Sequence, residues 1–175
     1  MQPVFKIGDK AVYPAQGVTE ITGIESKEIM GNQEIFYVLR VLDTDRKIMI
    51  PVGKVDQVGL REVISSDRVD EIYQVLRERA IKVDQTTWNR RYRRYLEKIK
   101  TGAILDVAEV LRDLYLLKVE KPLSFGERKM LDTARQLLVT ELSVARGMDD
   151  GLVLAEIREM FGDEDEHHEP VDDDV

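Results

Sequence analysis

The texture of the chain changes once, near Val63, and that change limits the folds open to it. From Phe5 to Val63 short apolar runs rich in β-branched residues alternate with turn signals at Gly8-Asp9, Pro14-Ala15-Gln16-Gly17, Met30-Gly31-Asn32-Gln33 and Asp43-Thr44-Asp45. Beyond it, apolar residues recur at helical spacing, beginning with Val69, Ile72, Tyr73 and Leu76. A chain written this way is α+β and multidomain, with a small β module followed by an all-α bundle. The spacing predicts strands over Lys10–Tyr13, Gly17–Ser26, Glu34–Leu42, Arg46–Pro51 and a short one near Leu60–Val63. Five such strands in some 60 residues suit a Tudor-like or SH3-like barrel, because an open sheet that small leaves its edges unpaired.

The second part reads as about five helices. Ser65 and Ser66 are candidate caps for the first, and a polar linker covers roughly Arg79 to Gln85. Thr86 or Thr87 caps a basic helix that ends at Thr101-Gly102. Ala103–Lys118 forms an apolar helix, broken by Pro122. Ser124 with Glu127 is a capping-box pattern opening a long helix that Gly147 closes. A last helix over about Gly151–Phe161 leads into an acidic tail too polar to pack, expected to be disordered. The implied division is 1–64, 65–161 and 162–175.

Charge is distributed unevenly. The chain holds 34 acids and 26 bases, yet eight of the acids lie in the tail from Gly162, which has no Lys or Arg. Without the tail, acids and bases balance. Such a body has no global attraction for nucleic acid, so any contact with DNA must be local, weak and sensitive to salt.

Catalysis is not written here. No phosphate-binding loop, dinucleotide glycine pattern, nucleophile elbow or HExxH occurs, so the chain reads as a non-enzyme without cofactor. The absence of cysteine excludes disulfides and thiolate chemistry. The only histidines, His167 and His168, lie in the tail, where Asp-Glu-Asp-Glu-His-His offers at most a loose divalent-ion site. No signal peptide or membrane-spanning run is visible, and the expected compartment is the cytoplasm.

One segment stands apart. TTWNRRYRRYLEKIK, Thr86 to Lys100, carries the only tryptophan and six bases, Arg90, Arg91, Arg93, Arg94, Lys98 and Lys100, against one acid, Glu97. On a helical wheel Tyr92, Tyr95 and Ile99 fall within about 40° of Trp88, with the bases expected on the opposite, solvated side. Periodicity alone makes Trp88 a core anchor. Its place at the start of the helix also allows an exposed ring, and an exposed ring beside guanidiniums has the makings of a minor-groove wedge. Periodicity does not decide between the two.

Five stretches together resemble the CarD/CdnL family of bacterial transcription regulators. They are FKIGDKAVYPAQGV (Phe5–Val18), MIPVGKVDQVGLREV (Met49–Val63), TTWNRRYRRYLEKIKTG (Thr86–Gly102), VAEVLRDLY (Val107–Tyr115) and LSFGERKMLDTARQLLVTEL (Leu123–Leu142). The resemblance spans about Phe5 to Phe161. The first stretch is also similar to the polymerase-interacting module of transcription–repair coupling factors, which lack the Trp-Arg-Arg helix.

The resemblance implies a monomeric factor whose Tudor-like domain docks on the RNA polymerase β subunit. Its helical domain would touch promoter DNA, without sequence specificity, at the upstream edge of the melted region. The family stabilises open complexes, often at ribosomal RNA promoters, and the protein would be nucleoid-associated through polymerase. By resemblance the docking edge includes Lys27, Met49 and Pro51, with Ile35 and Val38 on the adjacent strand. Trp88 corresponds to the wedge, Arg90, Arg91 and Arg93 to phosphate contacts, and Arg128 and Lys129 to a second basic point. Phe125 is either another exposed apolar contact or a staple against its own helix. Two other classes fit the residues less well: a protein–protein adaptor using the barrel alone, and a dimeric repressor with a recognition helix.

Overall fold

The computed structural model describes residues 4–80 and 87–163. The β module is a five-stranded antiparallel sheet: β1 (Lys10–Tyr13), β2 (Gly17–Ile29), β3 (Asn32–Val41), β4 (Lys47–Pro51) and β5 (Arg61–Glu62). The strand order is β4-β3-β2-β1-β5, which leaves β4 and β5 as its edges. β2 and β3 extend further than their apolar patterns predict. They are joined by the two residues Met30 and Gly31, both with positive φ, rather than by a four-residue turn. Such a turn matches the twist of the flanking strands and lets pairing run to the tip.

One face of the sheet covers a core of Phe5, Ala11, Ile21, Tyr37, Leu39, Ile50, Val52, Val55 and Leu60. Residues of α1 (Val55–Val58) and a preceding 3₁₀ turn (Val52–Lys54) close it. This helical turn is too short to leave a periodic signature, and the sequence does not predict it. The Phe5 N–H donates to the Tyr37 hydroxyl at 2.9 Å, so the buried phenol has a partner.

The helical part comprises α2 (Val69–Arg77), α3 (Trp88–Lys100), α4 (Ile104–Glu120), α5 (Phe125–Arg146) and α6 (Asp150–Met160). α4 lies at the centre, with Val110, Leu111 and Leu114 fully buried among residues of its neighbours, and Ile64 at the end of the β module joins the same core. The starts differ from expectation in two places. α2 follows a 3₁₀ turn at Ser66–Arg68, and neither Ser65 nor Thr87 makes a side-chain cap bond. The expected box at α5 is present in both directions, at 3.3 Å each way between Ser124 and Glu127. The Thr86 alternative and residues 81–85 of the expected linker lie outside the described residues, while Arg79 is tied to the carbonyls of Leu76 and Met160. His167, His168 and the tail beyond Asp163 also lie outside the described residues.

The two parts meet along α5 and the turn between α3 and α4. Arg61 on β5 makes a bidentate bond to Glu141 on α5, at 2.7 and 2.8 Å, and donates to the Gly102 carbonyl at 2.9 Å. The second Glu141 oxygen also accepts from the Ile64 N–H at 2.9 Å. Gly102 must be glycine on two counts. Its φ is +72°, and a Cβ there would approach the Pro14 ring to 2.9 Å. A small pocket of ≈ 20 Å³ at the joint is lined by Tyr13, Arg61, Gly102, Leu137 and Glu141.

Candidate polymerase edge and nucleic-acid surface

Alternation along the strands sorts the residues expected at the docking edge. Lys27 pairs with Glu34, Val38 with Met49, and Phe36 with Pro51, which puts Lys27, Val38, Met49 and Pro51 on the sheet face opposite the core. The Lys27 ammonium lies 3.7 Å from the Met49 sulfur, so those two are neighbours in fact. Lys27 lies within β2 rather than after it. Val38 is buried at 6% exposure, and it therefore backs Met49 instead of meeting a partner. Ile35 pairs with Ser26 one residue out of phase and faces the other way, although it is exposed. Three of the five thus form one accessible strip, beside the open edge at β4.

In the helical part the first turns of α3 and α5 come together. The Trp88 ring is half-buried, and it lies against the backbone of Gly126, where an added Cβ would sit 3.2 Å from Cζ2 and Nε1 of the indole. Only glycine permits that approach without displacement. Tyr92 meets the indole edge-on, with centroids 5.5 Å apart, and is itself exposed. Both readings of Trp88 contain something of the structure: the residue packs against the helical core and is only partly buried.

Arg90 and Arg93 are exposed, as are Arg128 and Lys129 in the first turns of α5 beside Gly126. The first turn of α3 holds Arg90 and Arg91 and no acid, and positive charge there opposes the helix dipole. Charge placed against the helix in this way suits an external anion.

Arg91 departs from expectation. It lies at 5% exposure with its guanidinium 3.3 Å from Glu127, so it is not presented to a phosphate. The reason is angular: at three residues past Trp88 and four before Tyr95 it borders the buried stripe. Glu127 is also buried, at 4% exposure. Burial by itself pushes its carboxyl up, but hydrogen bonds from Ser124 and the nearby Arg91 charge outweigh that and hold it below the ordinary glutamate value. Phe125 is 68% exposed, which excludes the staple and leaves an apolar side chain next to Gly126 in solvent. Sequence periodicity could have flagged neither the Glu127 contact nor the Gly126 seat, since both join elements more than 30 residues apart.

The fold is that of an α+β protein in two parts, with an accessible strip beside the β4 edge on one and an aromatic-basic surface on the other. The comparisons sharpen the class. The CarD-like/TRCF RID domain model matches residues 5–64, and the CarD C-terminal domain model matches residues 71–158. YdeB of Bacillus subtilis (strain 168) is 36% identical over 147 residues, which cover 84% of this chain and 95% of that protein. The chain belongs to the CarD/CdnL family of transcription regulators.

Two solved structures from Myxococcus xanthus are also similar. CdnLNt is 60% identical, covering 37% of this chain and 92% of that one, with a TM-score of 0.31. The 72-residue N-terminal domain of CarD is 34% identical, covering 35% and 83%, with a TM-score of 0.30. No helix among the described residues is long and apolar enough to cross a membrane.

Proposed function

We propose that this protein is a monomeric transcription initiation factor that docks on the RNA polymerase β subunit and stabilises the open promoter complex, ribosomal RNA promoters included. In this reading residues 1–64 are the docking domain, 65–161 the DNA-contacting domain and 162–175 an acidic tail. Lys27, Met49 and Pro51 carry the docking contact, with Val38 behind it and Ile35, on the other face, outside it. Trp88 wedges at the upstream edge of the bubble while Arg90, Arg93, Arg128 and Lys129 hold flanking phosphates. The observation that carries the reading is the partly buried Trp88, its indole seated on Gly126 and followed in α3 by the exposed Arg90 and Arg93.

The charge balance supports the same mechanism. A body with as many acids as bases does not find DNA by long-range attraction, but docking on polymerase supplies an effective concentration that reaches the millimolar range. A weak contact then suffices. Because a wedge fits distorted DNA better than intact duplex, it shifts the promoter toward the open state by its differential affinity.

Adding the protein is expected to lengthen the half-life of a heparin-challenged open complex formed by cognate holoenzyme on a ribosomal RNA promoter. Met49→Asp should remove that effect. The new carboxylate would lie beside the Lys27 ammonium, so the fold tolerates it, whereas an apolar contact on the β subunit does not. Binding to the isolated β subunit is expected to fall at least tenfold, about 1.4 kcal/mol. Undiminished binding would remove Met49 from the docking surface.

A further inference from the structure

Glu127 is a buried carboxylate in a position where the surface would have served. Closing a capping box requires only Glu or Gln at the third helical position, and such boxes form well in solvent. Burying the charge is costly unless it is paired, and here the second partner is Arg91. One Glu127 oxygen, Oε1, accepts from the Ser124 N–H, and the other, Oε2, from Nη1 of Arg91. The Arg91 guanidinium carbon in turn stands 5.5 Å from the centre of the Trp88 ring. Next to Glu127 in sequence, Gly126 supplies the backbone on which the indole rests. Two adjacent residues of α5 therefore set the place of one side chain on α3.

Resting on the reading of Trp88 as a wedge, we propose that the first turn of α5 is its mount. Glu127 and Gly126 are positioning residues, the carboxylate acting through Arg91 and the glycine by offering no side chain. The physical need is preorganisation. A ring free to swing must be immobilised each time it enters a base step, and that ordering cost subtracts from the stabilisation it delivers. A ring already held against backbone, with one edge left to solvent, loses little on insertion.

Two variants separate this role from simple support of the fold. Glu127→Gln keeps the capping box, since glutamine serves at that position, and removes the negative charge that pairs with Arg91. Gly126→Ala changes no charge, raises helix propensity, and introduces a Cβ 3.2 Å from the indole. Trp88 is the sole tryptophan, so its emission and acrylamide quenching report on the mount alone. Both variants are expected to red-shift the emission, increase quenching and shorten the open-complex half-life roughly threefold, the scale of re-ordering one side chain. Affinity for the β subunit should stay at the wild-type value.

Wild-type emission and quenching in both variants would overturn the mount, whatever the half-lives. Shifted emission with wild-type half-lives, in a system where Trp88→Ala shortens the half-life, would overturn the claim that seating matters. Shifted emission in a system where Trp88→Ala itself has no effect would leave the mount standing and remove the wedge.

Discussion

Trp88→Ala is expected to shorten the half-life of the heparin-challenged open complex by about tenfold relative to the wild-type factor, while β-subunit binding is unchanged. A tenfold change corresponds to about 1.4 kcal/mol at the barrier to bubble collapse. That lies within the roughly 1–3 kcal/mol that stacking a base on an aromatic ring contributes. In the proposed mechanism the effect comes from the ring, because neighbouring cations that contact phosphates would do so in the open and closed states alike and add affinity without discrimination. Removing those cations should act differently. An Arg90→Ala, Arg93→Ala double variant is expected to weaken DNA engagement most at low salt and to flatten its salt dependence. Docking is insulated from the first change, since Met49 and Lys27 lie in the sheet and Trp88 opens a helix of the other module. Stability is largely insulated too, because the ring is only half-buried and α3 is anchored by Tyr95 and Ile99, at 5% and 3% exposure. An unchanged half-life, with binding intact, would exclude the wedge and favour a barrel-only adaptor.

What sequence can reveal about this chain divides by the range of the forces involved. The strand-to-helix switch at Val63 and the Ser124/Glu127 box were legible because alternation, helical period and capping act over a few residues. The basic character of α3 was legible for the same reason. The burial of Arg91 was not, because its counter-charge stands 36 residues away on another helix. A guanidinium beside three others reads as solvated until a buried carboxylate is found for it. Trp88 stayed ambiguous because the outcome turned on Gly126, whose missing side chain gives no signal in a periodicity argument. Sheet alternation could have separated Ile35 from Val38, three residues apart and so on opposite faces. The resemblance made both of them lesser candidates on the strand adjacent to the docking edge, and the pairing with Ser26 and Met49 puts them on opposite faces.

Glu141→Ala should be the most destabilising single substitution at the junction of the two modules, by about 3 kcal/mol. Its carboxylate is 3% exposed and makes three bonds, two to Arg61 and one to the Ile64 N–H. Truncation strands a buried backbone donor and a guanidinium whose side chain is only 31% exposed. Arg61 retains its bond to the Gly102 carbonyl, which keeps the loss below the upper end for a buried pair. At roughly 2–4 °C per kcal/mol for a chain of this size, thermal denaturation should show a Tm lower by about 6–12 °C. An unchanged Tm would mean that the bidentate contact is not formed in solution. The substitution also bears on function. Both proposed surfaces lie away from Glu141, while Arg61, Glu141 and Gly102 supply hydrogen bonds that tie the sheet to the α3–α4 turn and to α5. Loosening that tie spreads the wedge over more positions relative to the docked sheet, so its effective concentration at the bubble falls even though neither surface has changed. Well below the new Tm, the variant should therefore bind the β subunit normally and still prolong the open complex less than the wild-type protein does.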